Sequence, residues 1–312
     1  MKQRGAHFID GKPFNIFIGL VVLTIWGATY VIIRVTVRDN PPTIPPLSLA
    51  FMRFLVAYVV LRMIPLREKA QPSREENRTL ILMGLTGITI YFYLDFTGMI
   101  YTTATNASIL ITLVPVLTQI GAAVFFGRRF SWINYAGFPI AFVCGALIVW
   151  NGKVNFQLNP KGDILILLSA VSWTAYTIIG GEISAKYPAV LVSRRMAAVG
   201  VVSFFPFFVM ELASGKLAHV TWIALAGVVF MGVISTAVAI TLWIRCIDKL
   251  GMVLASNLLY LQSVVTILIA NLTIGEPVTW LLVVSTAGVV FGVYLSNLPV
   301  KKTAASVSEP KH

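Results

Sequence analysis

The chain has 312 residues, 57% of them hydrophobic and only 12% charged, with a formal net charge of +12. A soluble domain needs roughly a quarter of its residues charged to cover its surface, so soluble enzymes and soluble binding modules are excluded. Apolar runs of about 18–25 residues, long enough to cross about 30 Å of hydrocarbon as helix, stand where a membrane barrel would show alternating strands of about ten residues.

Residues 1–13 are a polar start carrying Lys2, Arg4 and Lys12, and a first span is predicted at 14–33. A signal peptide would also pair a basic start with an apolar run. Here the run is too long, lacks a small-x-small cleavage site and is followed by many more spans, so it reads as a retained helix. The segment 34–46 holds four prolines and reads as a loop. Further spans are predicted at 47–66, 80–101, 106–126 and 132–150. Between them lie a loop of mixed charge at 67–79, a very short turn at 102–105 and a tight corner at Arg128-Arg129. The longest polar connection, 151–162, precedes spans at 163–181, 189–212, 222–247, 255–274 and 280–298. The polar tail 299–312 reads as disordered. Cys144 and Cys246 both fall in apolar spans and read as small buried hydrophobes, not as a disulfide.

The chain repeats itself. Sliding it by 148 positions lays Ser108 on Ser256, Leu113 on Leu261, Thr118 on Thr266, Gly127 on Gly275, Trp132 on Trp280, and Met83-Gly84 on Met231-Gly232. A duplicated hydrophobic half is the mark of a secondary transporter. Five spans per copy force the second copy to enter the membrane from the opposite side, so the repeats are expected to be inverted. The charges agree with that topology. With the N-terminus inside, the outer segments hold Arg34, Arg38, Lys153, Lys161 and Lys216, and every other Lys and Arg except the intramembrane Arg53 falls on the cytoplasmic side. The positive charge therefore orients the protein in its membrane and need not recognise nucleic acid.

Several pieces in order resemble the EamA group of the drug/metabolite transporter superfamily. Trp26-Gly27-Ala28-Thr29-Tyr30 resembles its span-1 element, and the stretch from Leu49 through Arg53 to Ala57 its span-2 element with a buried Arg. Tyr101 to Ser108 with Leu113-Val114-Pro115 is similar to its span-4 signature, Ser172-Trp173-Thr174-Ala175-Tyr176 to its span-6 element, and Gly275-Glu276 to the end of span 9. The resemblance implies ten spans and transport, with amino acids, nucleosides and sugars among the family's substrates. Two departures stand out. Arg128 occupies the place of the usual Glu in the first copy, and Ser263 stands where the first copy has Pro115, so spans 4 and 9 are expected to bend unequally.

Polar groups inside lipid are costly and face the bundle interior or a wet cavity. Asp95 is the only acid well inside a span, with Tyr91 one turn before it at the i, i+4 spacing. It reads either as a coupling proton acceptor or cation anchor, or as a carboxylate paired with Arg53 or capped by nearby hydroxyls. Trp26 and Trp173 fall near the midplane when their helices are measured from opposite sides, with Tyr30 and Tyr176 within a turn of each. They read as bundle packing or as the lining of a substrate site for amphipathic metabolites. Trp243 aligns with Asp95 in the other copy, and Asn257, Tyr260 and Gln262 are the large polar groups of span 9. A carboxylate or phosphate site at Arg53 is the less favoured use of that residue.

His7, His219 and His312 lie outside the spans, and no span holds paired carboxylates or a His-x-x-x-His spacing. An intramembrane enzyme is therefore disfavoured, and neither cofactor nor metal is expected. A channel-like scaffold is disfavoured because inverted repeats supply the two gates of alternating access. A nucleotide-sugar or nucleoside-type exchanger is the alternative within transporters. The resulting expectation is an all-α integral membrane protein of ten transmembrane helices in two inverted five-helix repeats, 14–150 and 163–298. It would export small metabolites such as amino acids across a bacterial or archaeal inner membrane, with both termini cytoplasmic. Its partners would be the lipid bilayer and a small-molecule substrate, with a homodimer left open.

Overall fold

The structure, a computed structural model, describes residues 11–37, 44–66, 71–102, 110–150, 159–217, 220–262, 265 and 279–298, without the side chains of 30–37, 148–150 and 282. The expectations for the polar start, the tail, the 102–105 turn beyond Thr102 and most of the 151–162 connection lie outside these residues. Among the described residues every regular element is a helix. In chain order they are α1 (Lys12–Val37), α2 (Pro46–Met63), α3 (Arg74–Tyr101), α4 (Val114–Phe126), α5 (Trp132–Trp150), α6 (Pro160–Lys186), α7 (Ala189–Ala213), α8 (Trp222–Leu250), α9 (Met252–Leu258) and α10 (Trp280–Ser296). Six of them, α1, α2, α3, α6, α7 and α8, are long and apolar enough to cross a membrane. The fold is thus all-α and multi-pass.

Exposure follows from the solvent. Large apolar side chains such as Phe17, Val59, Val124, Val202 and Phe291 lie open on the outside, as a lipid-facing surface requires. Trp132, Trp222 and Trp280 are each the first residue of a helix, and all three are about four-fifths exposed (82%, 78% and 79%). An amphipathic indole at a helix end suits the headgroup layer. The core is formed instead where α1, α2, α3, α6, α7 and α8 meet, around Leu23, Phe54, Met83, Tyr176, Met196, Phe204 and Trp243.

Helix ends show how the sequence fixes the boundaries. α3 starts well before the predicted residue 80, because Ser73 and Glu76 form a capping box. The Ser73 hydroxyl accepts from the Glu76 amide at 3.3 Å, and the Ser73 amide donates to Glu76 Oε2 at 2.7 Å. The apolar count missed this turn because it is polar. α2 is capped at both ends by α7. The amide and hydroxyl of Ser48, in the first turn of α2, donate to Glu211 Oε2 at 3.0 and 2.5 Å. At the other end Arg194 donates to the carbonyls of Leu61 and Ile64. Negative charge at the N-terminus and positive charge at the C-terminus both oppose the helix dipole.

α5 and α10 pack on each other at backbone distance. A Cβ on Gly137 would fall 2.5 Å from the Ser296 amide nitrogen, and one on Gly292 would fall 2.5 Å from that of Ala141. Asn134 adds a polar clamp, donating to the carbonyls of Leu295, Ser296 and Leu298. α4 ends at Gly127, whose φ of 59° is the left-handed cap that glycine tolerates best.

Two departures from regular helix matter most. α3 widens into a π-helical turn at Leu85–Ile90, and α8 does so at Met231–Val238. The 148-position shift carries the first segment inside the second. α4 and α9 are also interrupted at nearly equivalent places, by a turn at Thr112-Leu113 and by one at Leu259. Ser263, the counterpart of Pro115, and most of span 9 beyond it lie outside the described residues, and with them the expectation of unequal bending.

Candidate functional site

The two π turns flank a cluster of aromatic side chains drawn from four helices. The rings of Trp26 on α1 and Trp173 on α6 meet edge to face at 5.8 Å. Trp26 also lies 5.2 Å from Trp243 on α8. Tyr91 on α3 lies 4.9 Å from Trp173, and Tyr176 lies 5.0 Å from it on the same helix. Such ring contacts are worth about 0.5–1.5 kcal/mol each beyond the area they bury. Trp243 and Tyr176 are fully buried, whereas Trp26, Tyr91 and Trp173 are half-buried.

Each π turn gives up a backbone carbonyl to a side chain of the helix packed against it. Trp26 Nε1 donates to the Ser235 carbonyl at 3.1 Å, joining α1 to α8. Ser172 Oγ donates to the Thr86 carbonyl at 2.7 Å, joining α6 to α3. A wide turn upsets the i to i−4 ladder, and a neighbouring donor restores the bond. Thr29 reinforces the first junction through the Ser235 hydroxyl at 3.0 Å. Gly87 makes the second one close, because Tyr176 packs where its Cβ would be, 2.6 Å away.

Arg53 enters the same region from α2 and is 5% exposed. Its Nε and Nη2 donate to Thr236 Oγ1 at 3.0 and 2.9 Å, and Nη2 reaches Ser235 Oγ at 3.5 Å. The guanidinium carbon lies 4.9 Å from the Phe92 ring centre and 5.5 Å from that of Phe54. Arg53 is therefore held by the π turn of α8 and by aromatic faces, and not by Asp95. Asp95 is half-buried on α3 and forms no ion pair or hydrogen bond with any described residue. The indole nitrogens of Trp173 and Trp243 are buried without an acceptor among the described residues.

The candidates on α9 stand apart from this cluster. Asn257 is fully buried, accepts from Gln119 Nε2 at 2.6 Å and donates to Ser296 Oγ at 3.1 Å, tying α9 to α4 and α10. Tyr260 is buried among Ala141 and Val289, beside α5 and α10. Gln262 is half-buried just beyond, and the Tyr30 side chain lies outside the described residues. Sequence reasoning missed Phe92, Ser235 and Thr236 as members of the site. The repeated Met-Gly at Met83-Gly84 and Met231-Gly232, immediately before or at the start of each π turn, was the signal that could have pointed there.

At the far end of α6 a polar tie links α3 to α6 and the start of α7. Glu76 pairs with Lys186 and accepts from the Tyr187 hydroxyl at 2.6 Å. That carboxylate holds the Tyr187 phenol above its ordinary pKa. An open cleft beside it is lined by Ser184, Tyr187, Arg245, Asp248 and Lys249, away from the aromatic cluster. At the opposite end of the pair, Thr102 donates to Asp163 at 2.5 Å. Among the described residues no three His, Cys, Asp or Glu side chains are grouped to hold a metal ion.

Comparison with known proteins now adds what geometry alone lacks. The model of a family described as "EamA-like transporter family" matches twice, at residues 13–150 and 160–298. A protein of Archaeoglobus fulgidus called "Uncharacterized transporter" is 25% identical over 88% of this chain and 95% of its own length. A "Probable terminal-alkyne amino-acid exporter" of Streptantibioticus cattleyicolor is 28% identical over 89% of this chain and 92% of its own. A solved structure, described only as "Crystal structure of protein", superposes with a TM-score of 0.71 at 17% identity, covering 91% of this chain and 97% of that one. That last likeness concerns the fold alone.

Proposed function

We propose a transport cycle for this chain, which belongs to the EamA-like transporter family of the drug/metabolite transporter superfamily. The cycle is alternating access, run by ten spans in two inverted five-helix repeats, 14–150 and 163–298, across a bacterial or archaeal inner membrane with both termini cytoplasmic. The cargo is a small amphipathic metabolite such as an amino acid, moved outward. The observation that carries this reading is the aromatic cluster, which takes Trp26 and Tyr91 from the first copy and Trp173, Tyr176 and Trp243 from the second. A site shared by two copies opens to either side when the copies rock against each other. Further support comes from the exchange of partners between copies. α3 packs on α6 and α8 packs on α1, and each pair is joined through a π-turn carbonyl. The name of the Streptantibioticus relative favours amino acids as cargo.

In this reading Trp26, Tyr91, Trp173, Tyr176 and Trp243 line the site, and Tyr30 extends it. Asp95, an acid with no partner in the described structure, couples transport to protons. Asn257, Tyr260 and Gln262 act on the α9 side, where α4 and α9 are both interrupted. The test is transport in proteoliposomes, with a pool of amino acids and nucleosides assayed with and without a pH gradient. Trp173→Ala is expected to slow movement about tenfold or more. Asp95→Asn is expected to abolish the response to the gradient. Unchanged rates in both variants would sink the site, and single-channel currents would replace alternating access with a pore.

A further inference from the structure

We infer that Arg53 is the anchor for a carboxylate on the transported solute, so that the cargo is a carboxylic acid or zwitterion and not an amine or a neutral metabolite. This rests on the transport reading above and adds the chemical class of its substrate. The inference starts from a charge that no described residue neutralises. Arg53 is 5% exposed, and its acceptors are the neutral hydroxyls of Thr236 and Ser235. No acidic side chain pairs with it among the described residues. A guanidinium offers five N–H donors in a planar fork, and a buried cation without a counter-ion is expensive inside a membrane protein. Hydroxyls and the Phe92 face orient the group without supplying negative charge.

The surrounding cluster shows the same imbalance. Ser235 Oγ, a neighbour of the guanidinium, belongs to the residue whose carbonyl takes Trp26 Nε1. Trp26 in turn touches both Trp173 and Trp243. Those two indole N–H groups are buried without acceptors among the described residues. Among the described groups in contact with Arg53 and these indoles no carboxylate appears. A carboxylate brings one negative charge and about four lone-pair directions, and it matches the guanidinium fork. A phosphate, with up to two charges, would leave the second uncompensated by this single deep cation. The rings then receive the apolar part of the solute.

The experiment uses the full chain in proteoliposomes and a panel of aromatic and aliphatic amino acids, the matching amides, the matching decarboxylated amines, and 3-phenylpropanoate. The labelled probe is whichever member the wild type moves. Acids are expected to compete with it at least about tenfold better than the amides or amines. Arg53→Lys is expected to raise the half-saturating concentration about tenfold with little change in maximal rate, and Arg53→Met to abolish the preference for acids. Binding to the purified protein, followed by tryptophan fluorescence, should show the same order. The analogue series in the wild type decides the matter even if the Arg53 variants do not fold. Equal competition by amides and acids, or transport of amines alone, overturns the carboxylate site and leaves the carrier standing. Movement of no panel member overturns this inference, and the transport reading falls with it only if the amino-acid and nucleoside pool also stays still.

Discussion

The α3–α6 pair and the α1–α8 pair are built to one plan and finished differently. Both hold a π turn, and both give that turn's carbonyl to a side chain of the partner helix. In the α3–α6 pair the donor is Ser172, and the Trp173 indole N–H has no acceptor among the described residues. In the α1–α8 pair the donor is Trp26 itself. The α3–α6 pair is also fastened at both ends, by Glu76 with Lys186 and Tyr187 and by Thr102 with Asp163. The described part of α1 is fastened to α8 at mid-helix and near its start, where Arg245 donates to Asn15 at 3.1 Å. At the equivalent position beside the rings, α3 carries Asp95 and α8 carries Trp243. Equivalent shapes thus carry unlike chemistry.

Breaking the shared plan should have the largest effect. Gly87→Val puts carbon where the Tyr176 ring lies, 2.6 Å from the ideal Cβ position. We expect a loss of about 1–3 kcal/mol, read as a lower thermal midpoint in detergent. An unchanged midpoint would mean that α3 and α6 separate freely.

The second test sharpens the contrast between the two donors. Trp26→Phe removes the bond to the Ser235 carbonyl and should cost about 1 kcal/mol, whereas Trp173→Phe removes an N–H with no acceptor among the described residues and should cost less. Equal losses would show that the difference between the two indoles has no energetic weight.

The smallest effect concerns the end tie. The Tyr187 phenol is raised by its bond to Glu76, so the bond needs the protonated form. Its contribution is complete below the ordinary phenol value and is lost as pH rises through the raised one. Tyr187→Phe should therefore flatten the alkaline limb of the stability curve, and an unaltered limb would place the titration elsewhere.

Much of the fold was legible because lipid leaves few choices. Tryptophans bracket the α5 run, and its predicted limits, 132–150, are those of the helix. Polar helix ends were not legible from hydropathy, as the Ser73 capping box shows. The cluster of Trp26, Trp173 and Trp243 could be anticipated from depth and repeat register, since those are properties of position along a helix. The partners of Arg53 could not. Thr236 lies 183 residues away in the chain, and only the packing of α2 on the π turn of α8 brings them together. Asn257 posed the same problem. It looked like an available polar group, and the fold spends it on Gln119 and Ser296.

The π turns also carry a record of descent. Laid on itself by the same shift, the chain carries the first range, Leu85–Ile90, inside the second, Met231–Val238, and one family model matches each copy. An irregularity present at the same register in both copies points to an origin before the chain doubled. The half-length ancestor then already possessed the wide turn, and the two lineages inside this one polypeptide have since diverged in what they place beside it: a carboxylate at Asp95 in one, an indole at Trp243 in the other.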